Sequence, residues 1–140
     1  MSDAHVRLQP AGIFAECSTD ELRDIAAIGE PVAFDADTAI VEEGDRGDAM
    51  YVVVDGEARV DVGGRYHVLR PGEFFGEMAL IAPGKRLATV RAVTPVQTLR
   101  IPAERFQAFV IEHPHVALSM MKTLVVRLRE VEQRIDAWMA

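Results

Sequence analysis

Residues 75–92 read Phe75-Gly76-Glu77-Met78-Ala79-Leu80-Ile81-Ala82-Pro83-Gly84-Lys85-Arg86-Leu87-Ala88-Thr89-Val90-Arg91-Ala92. A glycine and a carboxylate open a short apolar turn, Pro83-Gly84 breaks it, and Arg86 leads into a strand-like run. Gly76 permits a positive φ or a close backbone approach. Glu77-Met78-Ala79-Leu80 is expected to form one helical turn, whose first N–H groups lack intrahelical acceptors and attract an anion. Arg86 lies nine residues after Glu77, far enough for a loop to return it to that turn. Its guanidinium is always charged and presents a rigid fork suited to phosphate. Glu77 repels phosphate, but its carboxylate accepts hydrogen bonds from a hydroxyl. Together the three describe a site for a phosphate with a sugar hydroxyl beside it. On the residues alone, an acidic turn and a solvated surface arginine are an equal alternative.

The segments around this stretch are strand-like. Between residues 31 and 101 short apolar runs alternate with turn residues: Val32 to Phe34, Ala39 to Val41, Met50 to Val54, Ala58 to Val62, Tyr66 to Leu69, Ala88 to Val93 and Val96 to Ile101. Asp55-Gly56 and Gly63-Gly64 tolerate positive φ and read as tight hairpins. Many short strands with such turns predict an antiparallel barrel or jelly roll, whose interior would give a bound base an apolar wall.

Helices flank this zone. Ser18 or Thr19 caps a helix carrying Leu22, Ile25 and Ala26, and Gly29 followed by Pro31 ends it. Pro102 suits a first helical turn, and a short helix is expected to reach Glu112 and break at His113-Pro114. A long helix then runs to the end. Along it Ala117, Met121, Leu124, Leu128, Val131, Ile135 and Trp138 recur at spacings of 4 and 3, with Lys, Arg, Glu and Asp on the flanks. That is an a/d seam, which predicts a parallel two-helix dimer. The alternative is packing on the chain's own barrel, which usually shows a wider stripe.

Composition narrows the function classes. The chain has 140 residues, which suits one domain. The expected parts are a helical 1–30, a barrel over 31–101 containing 75–90, and helices over 102–140. No apolar run approaches the ~20 residues of a membrane helix, and the first ten residues lack the apolar centre of a signal peptide. Cys17 is the only cysteine, so no internal disulfide forms and a cytoplasmic setting is the default. Its bland reading is a small buried side chain. A net charge of −7 argues against direct nucleic-acid binding. A metal-binding or enzymatic jelly roll needs a His-x-His strand with further ligands. Here His113-Pro114-His115 straddles a helix break, His5 and His67 stand alone, and no acid/base or nucleophile pair is evident. The expectation is no enzyme, no metal and no cofactor.

Phe75-Gly76-Glu77-Met78-Ala79-Leu80 and Arg86-Leu87-Ala88-Thr89-Val90 resemble the phosphate-binding cassette of the cyclic nucleotide-binding domain family, F-G-E-x-A-L, a spacer, then R-x-A-x-V. A second signature, from Ile40 through Gly44-Asp45-Arg46-Gly47 and the apolar run Met50 to Val54 to Gly56, fits the same family. The resemblance covers nearly the whole chain. It implies a mainly β fold: an antiparallel jelly roll with an N-terminal helix and a long C-terminal helix that serves as lid. It implies a regulatory module whose ligand is cAMP or cGMP. Glu77 would hold the ribose 2′-hydroxyl and Arg86 the cyclic phosphate, helped by backbone N–H groups near Gly76 and at Leu87-Ala88. Phe75, Met78 and Ala79 complete the expected pocket.

Four positions depart from the family pattern. Leu87 stands where the family usually has Ala, Ser or Thr. It brings no hydroxyl, tilts the ligand toward cAMP, and can crowd the pocket. Lys85 replaces a common Pro, and is either added charge near the phosphate or a solvent-exposed side chain. Val131 and Glu132 fall where the bacterial cAMP-dependent activators carry a Thr-Ser pair that reaches adenine. Base contact then passes to Val131, Ile135 or Arg127, or those residues serve the seam and solvent instead. The output module usual in the family is not evident in this sequence, so the effector partner is an unknown protein or domain. The competing reading within this fold is a degenerate pocket kept as a dimerisation or protein-interaction scaffold.

Overall fold

Ser18 and Glu21 begin the first helix reciprocally. The Glu21 N–H donates to Ser18 Oγ at 3.1 Å, and the Ser18 N–H donates to Glu21 Oε1 at 2.9 Å. This capping box satisfies two otherwise orphaned donors and starts α1 (Thr19–Ala27). The protein, seen in a computed structural model, is described over residues 8–139, with side chains to residue 136. His5 and the side chain of Trp138, the last position of the expected seam, lie outside the described residues.

Among the described residues ten strands follow: β1 (Glu30–Phe34), β2 (Ala39–Val41), β3 (Arg46–Gly47), β4 (Ala49–Asp55), β5 (Ala58–Val62), β6 (Arg65–Leu69), β7 (Phe74–Phe75), β8 (Gly84–Lys85), β9 (Thr89–Ala92) and β10 (Val96–Pro102). They form two four-stranded antiparallel sheets, ordered β1-β10-β4-β7 and β2-β9-β5-β6, and a small ladder of β3 with β8. Gly63 and Gly64, both at positive φ, join β5 to β6 as a tight hairpin, as expected. Asp55-Gly56 does something else. β4 and β5 belong to different sheets, so this pair turns a corner between layers. Gly56 is required there by φ +89 and by the Pro95 carbonyl oxygen, which would collide with any Cβ.

The two sheets divide the core. Ile40, Val53, Val60, Leu69, Phe75, Val90 and Val96 fill the space between them. Met50, Val52, Leu99 and Ile101 project from β4 and β10 to the other side, where they meet Phe14, Ile25, Leu80, Phe106, Val116 and Met120. β4 is therefore covered on both faces, which is why its sequence is an unbroken apolar run. Each such buried side chain contributes roughly 1.5–3 kcal/mol.

Helices α2 (Ala103–Glu112) and α3 (Pro114–Met139) close that outer side. Pro102 ends β10 and precedes α2 as its N-cap, one residue earlier than its expected place inside the first turn. His113 leaves the helical region at φ −130, ψ 65, because the residue before a proline is driven out of it. On α3, Val116, Met120 and Thr123 are buried against the body, and every side chain from 124 to 136 is exposed. The helix therefore carries two faces: one used by this chain, and the seam face of Met121, Leu124, Leu128, Val131 and Ile135, which stands exposed.

Candidate functional site

Gly76 adopts φ +79, a left-handed conformation natural to glycine, and turns β7 into a 3-10 turn over Glu77–Leu80. That turn is the single helical turn expected from the sequence. The chain then loops through Pro83-Gly84 into β8, where Arg46 pairs with Lys85 and Gly47 with Gly84. The Arg86 N–H donates to Asp45 O at 2.7 Å and the Gly44 N–H to Arg86 O at 2.8 Å, so the loop is zipped to residues 44–47.

This ladder fixes Arg86. Its Nη2 donates to Ala49 O at 2.7 Å. Its side chain runs between two glycines: a Cβ on Gly47 would collide with Nε, and a Cβ on Gly76 would collide with Nη1. Both positions must lack a side chain for Arg86 to lie as it does. Burial draws the guanidinium pKa below the usual arginine value, against the pull of Tyr51, Asp48 and Asp45. Among the described residues Arg86 forms no ion pair, whereas Arg100 is paired with Glu30 at 2.9 Å and Asp48 at 3.5 Å. A half-buried guanidinium with only one carbonyl acceptor is under-satisfied and favours an incoming anion.

Arg86 opens onto a cavity of about 270 Å³ lined by Phe75, Gly76, Glu77, Met78, Ala79, Lys85, Arg86, Leu87 and Ala88, with Val41, Val60 and Val90 as apolar wall. Phe75 and Ala79 are buried, and Phe75 stacks on Tyr51 at 5.3 Å. Met78 and Leu87 stand exposed at the mouth, 70% and 81%. Lys85 is exposed at the rim. The cavity thus brings together the cassette residues expected from the sequence, while the candidate base contacts Val131, Ile135 and Arg127 lie exposed on α3 and outside the lining. Glu77 is half-buried, with Oε2 3.1 Å from where a Cβ on Gly12 would be.

Gly47 and Ala49 join this site without having been singled out for it by the sequence. Gly47 is visible as part of the upstream signature, but its contact with Arg86 depends on the register of β3 against β8, distant in sequence. Among the described residues no three His, Cys, Asp or Glu side chains gather as a metal site would, and no helix is long and apolar enough to cross a membrane.

Comparison with known proteins bears on the family and the fold. The chain is 36% identical over 103 residues to the cyclic AMP receptor protein of Thermus thermophilus, covering 69% of this chain and 48% of that one. It is 23% identical over 134 residues to a CRP-like cAMP-activated global transcriptional regulator of Mycobacterium tuberculosis, covering 91% and 60%. The chain thus spans about half to three-fifths of the length of these relatives. The N-terminal domain of a transcriptional regulator from Streptomyces coelicolor superposes with a TM-score of 0.76 at 29% identity, covering 96% of this chain and 95% of that one. The cyclic nucleotide-binding domain profile matches residues 31–113, more than half of the chain. With the jelly roll and the cassette cavity in place, this match shows that the chain belongs to the cyclic nucleotide-binding domain family, a family of regulatory domains.

Proposed function

We propose that the cavity beneath Gly76–Leu80 binds cAMP in preference to cGMP, with Arg86 pairing with the cyclic phosphate and Glu77 accepting a hydrogen bond from the ribose 2′-hydroxyl. The observation that carries this reading is Arg86: half-buried, cradled by Gly47 and Gly76, and without a carboxylate partner among the described residues. A cyclic phosphate has one negative charge, which one guanidinium neutralises. Val41, Val60 and Val90 supply the apolar wall. Leu87 offers no hydroxyl, which supports cAMP, as does the likeness to a cAMP-activated regulator and a cyclic AMP receptor protein. The exposed mouth at Met78 and Leu87 leaves the base end open for a lid, and α3, carrying Val131, Ile135 and Arg127, is the element to supply it.

The response is a population shift. Ligand can move α3 only by its differential affinity for two arrangements of the cassette and helices. The seam face of α3 pairs with the same face of a second copy, because a sustained heptad pattern is self-complementary and the seam stands exposed on this chain. The output is passed to an effector protein or domain, with no direct nucleic-acid, membrane or enzymatic role for this domain.

The test is calorimetric titration with cAMP and cGMP after unfolding and refolding to strip carried ligand. Micromolar or tighter cAMP binding that is lost in Arg86→Ala is the expected result. Absence of binding by folded protein would leave the interaction scaffold, the reading that the exposed seam and the bulky Leu87 at the mouth otherwise favour.

A further inference from the structure

Glu77 has a second neighbourhood. Phe74 and Phe75, adjacent on β7, face opposite ways: Phe75 lines the cassette cavity, and Phe74 lines another cavity of about 550 Å³ on the far side, with Gln9, Gly12 and Arg70. Glu77 lines both. Its Oε2 rests toward Gly12, at a distance of 3.1 Å from an added Cβ, and the Phe74 ring stands 3.4 Å from the same point. The first separation is closer than ordinary contact, so a side chain at 12 would force the carboxylate, the ring or the turn to move.

Gly12 is itself held firmly. It begins a 3-10 turn, Gly12–Phe14, at φ +57. Phe14 is fully buried, edge-on to Phe74 at 5.4 Å and to Phe106 of α2 at 6.3 Å. The Phe14 N–H donates to Ala11 O and the Cys17 N–H to Phe14 O, both at 3.0 Å. The same turn contacts the cassette turn on one side and α3 on the other. The backbone at Gly12 is thus a fixed surface against which the Glu77 carboxylate lies.

We propose that Gly12 is a positioning residue for Glu77: its missing side chain leaves the space that holds the carboxylate, and so sets how strongly the site prefers a ligand carrying a ribose 2′-hydroxyl. This rests on the assignment of Glu77 as the hydroxyl acceptor. Gly12 touches no ligand and acts only through Glu77, so its effect must disappear when the hydroxyl is absent.

The experiment titrates cAMP and 2′-deoxy-cAMP into wild type, Glu77→Ala, Gly12→Ala and Gly12→Asn. Asn adds a Cβ yet tolerates the left-handed backbone, so it serves where the alanine variant fails to fold; thermal melting identifies folded variants. Wild type is expected to favour cAMP by roughly tenfold or more, the worth of a hydrogen bond to a charged group. Glu77→Ala should remove that preference. The folded Gly12 variants should reduce it by about threefold or more while holding 2′-deoxy-cAMP affinity near the wild-type value, since steric displacement of a few tenths of an ångström weakens but does not delete a hydrogen bond. Folded Gly12 variants that keep the full preference, or that lose affinity for both ligands alike, overturn the role of Gly12 and leave the ligand assignment intact. Wild type that binds neither nucleotide overturns both.

Discussion

At the scale of single residues, Arg86 and the two glycines beside it decide the most. Arg86→Ala should weaken cAMP binding by about tenfold or more, because charge-assisted hydrogen bonds are worth roughly 1.5–3 kcal/mol each; calorimetry reads this directly. Gly47→Ala should act in the same direction without touching the ligand. Its methyl would enter the volume of the Arg86 side chain, overlapping Nε and lying 2.6 and 2.7 Å from Cζ and Cδ, and the flexible arginine must yield. The expected signature is lost affinity with a melting temperature near wild type; a large loss of stability at unchanged affinity would show that Gly47 serves the fold instead. Leu87→Thr adds a hydroxyl at the mouth of the cavity and should raise cGMP affinity relative to cAMP, measured as a ratio in competition titration. Leu87 is 81% exposed, so this substitution should leave stability nearly unchanged.

At the scale of elements, the joint between α1 and α3 is polar. The Ser119 hydroxyl donates to Glu21 at 3.0 and 3.2 Å, His115 Nε2 lies 3.7 Å from Glu21 Oε2, and the Glu16 N–H donates to Thr123 Oγ1 at 3.1 Å. His115, Ser119 and Thr123 recur every four residues, one stripe of α3 laid along the N-terminal segment. Burial pushes the Glu21 pKa up, but hydrogen bonds from Ser18 and Ser119 and the charge of His115 outweigh it, leaving the carboxyl below its ordinary value of 4.5. Because the folded-state value is depressed, the ionised carboxylate stabilises the fold fully above the unfolded value. That contribution fades as the pH falls through the folded value. Glu21→Gln should therefore lose stability at neutral pH and approach wild type below pH 4.5, read from denaturant midpoints across the acid range. A constant difference at all pH values would mean that the charge of Glu21 is irrelevant to its role. The Cys17 thiol, at the end of the same segment, is pushed up to about 11 by burial and by Glu21, consistent with an unreactive core side chain.

At the scale of the whole molecule, the far half of α3 projects from the body with Leu124, Leu128, Val131 and Ile135 about half exposed. The proposed partner of this exposed apolar row at heptad spacing is the same face of a second copy. The double substitution Leu124→Asp and Leu128→Asp should convert a dimer to a monomer in sedimentation, with the fold intact because neither residue belongs to the core. A dimer mass unchanged by the substitution would move the interface elsewhere.

Local chemistry is what made most of this chain legible. Ser18 or Thr19 before Glu21 announces a helix start, Gly63-Gly64 a hairpin, His113-Pro114 a break, and Gly76 through Leu80 a turn; each depends on neighbours within a few positions, and the choice of Ser18 as the cap is the structure's. The cassette run has a stereochemical logic of its own, but on the residues alone a solvated turn and a surface arginine read equally well, and the resemblance to a family separated the two. What only the tertiary structure decided depends on partners far apart in the chain. The Asp55-Gly56 pair looks like a hairpin, yet the pairing of β4 with β10 and of β5 with β9 makes it a corner. Gly47 and Ala49 reach Arg86 only because β3 zips to β8, and Ala49 is 37 positions from the arginine it holds. Gly12 meets Glu77 only because the N-terminal turn folds back behind β7. The heptad pattern of α3 named an apolar face, but which of its stripes the body would take was set by the shape of the surface it landed on. Periodicity is a property of a segment; register and packing are properties of pairs.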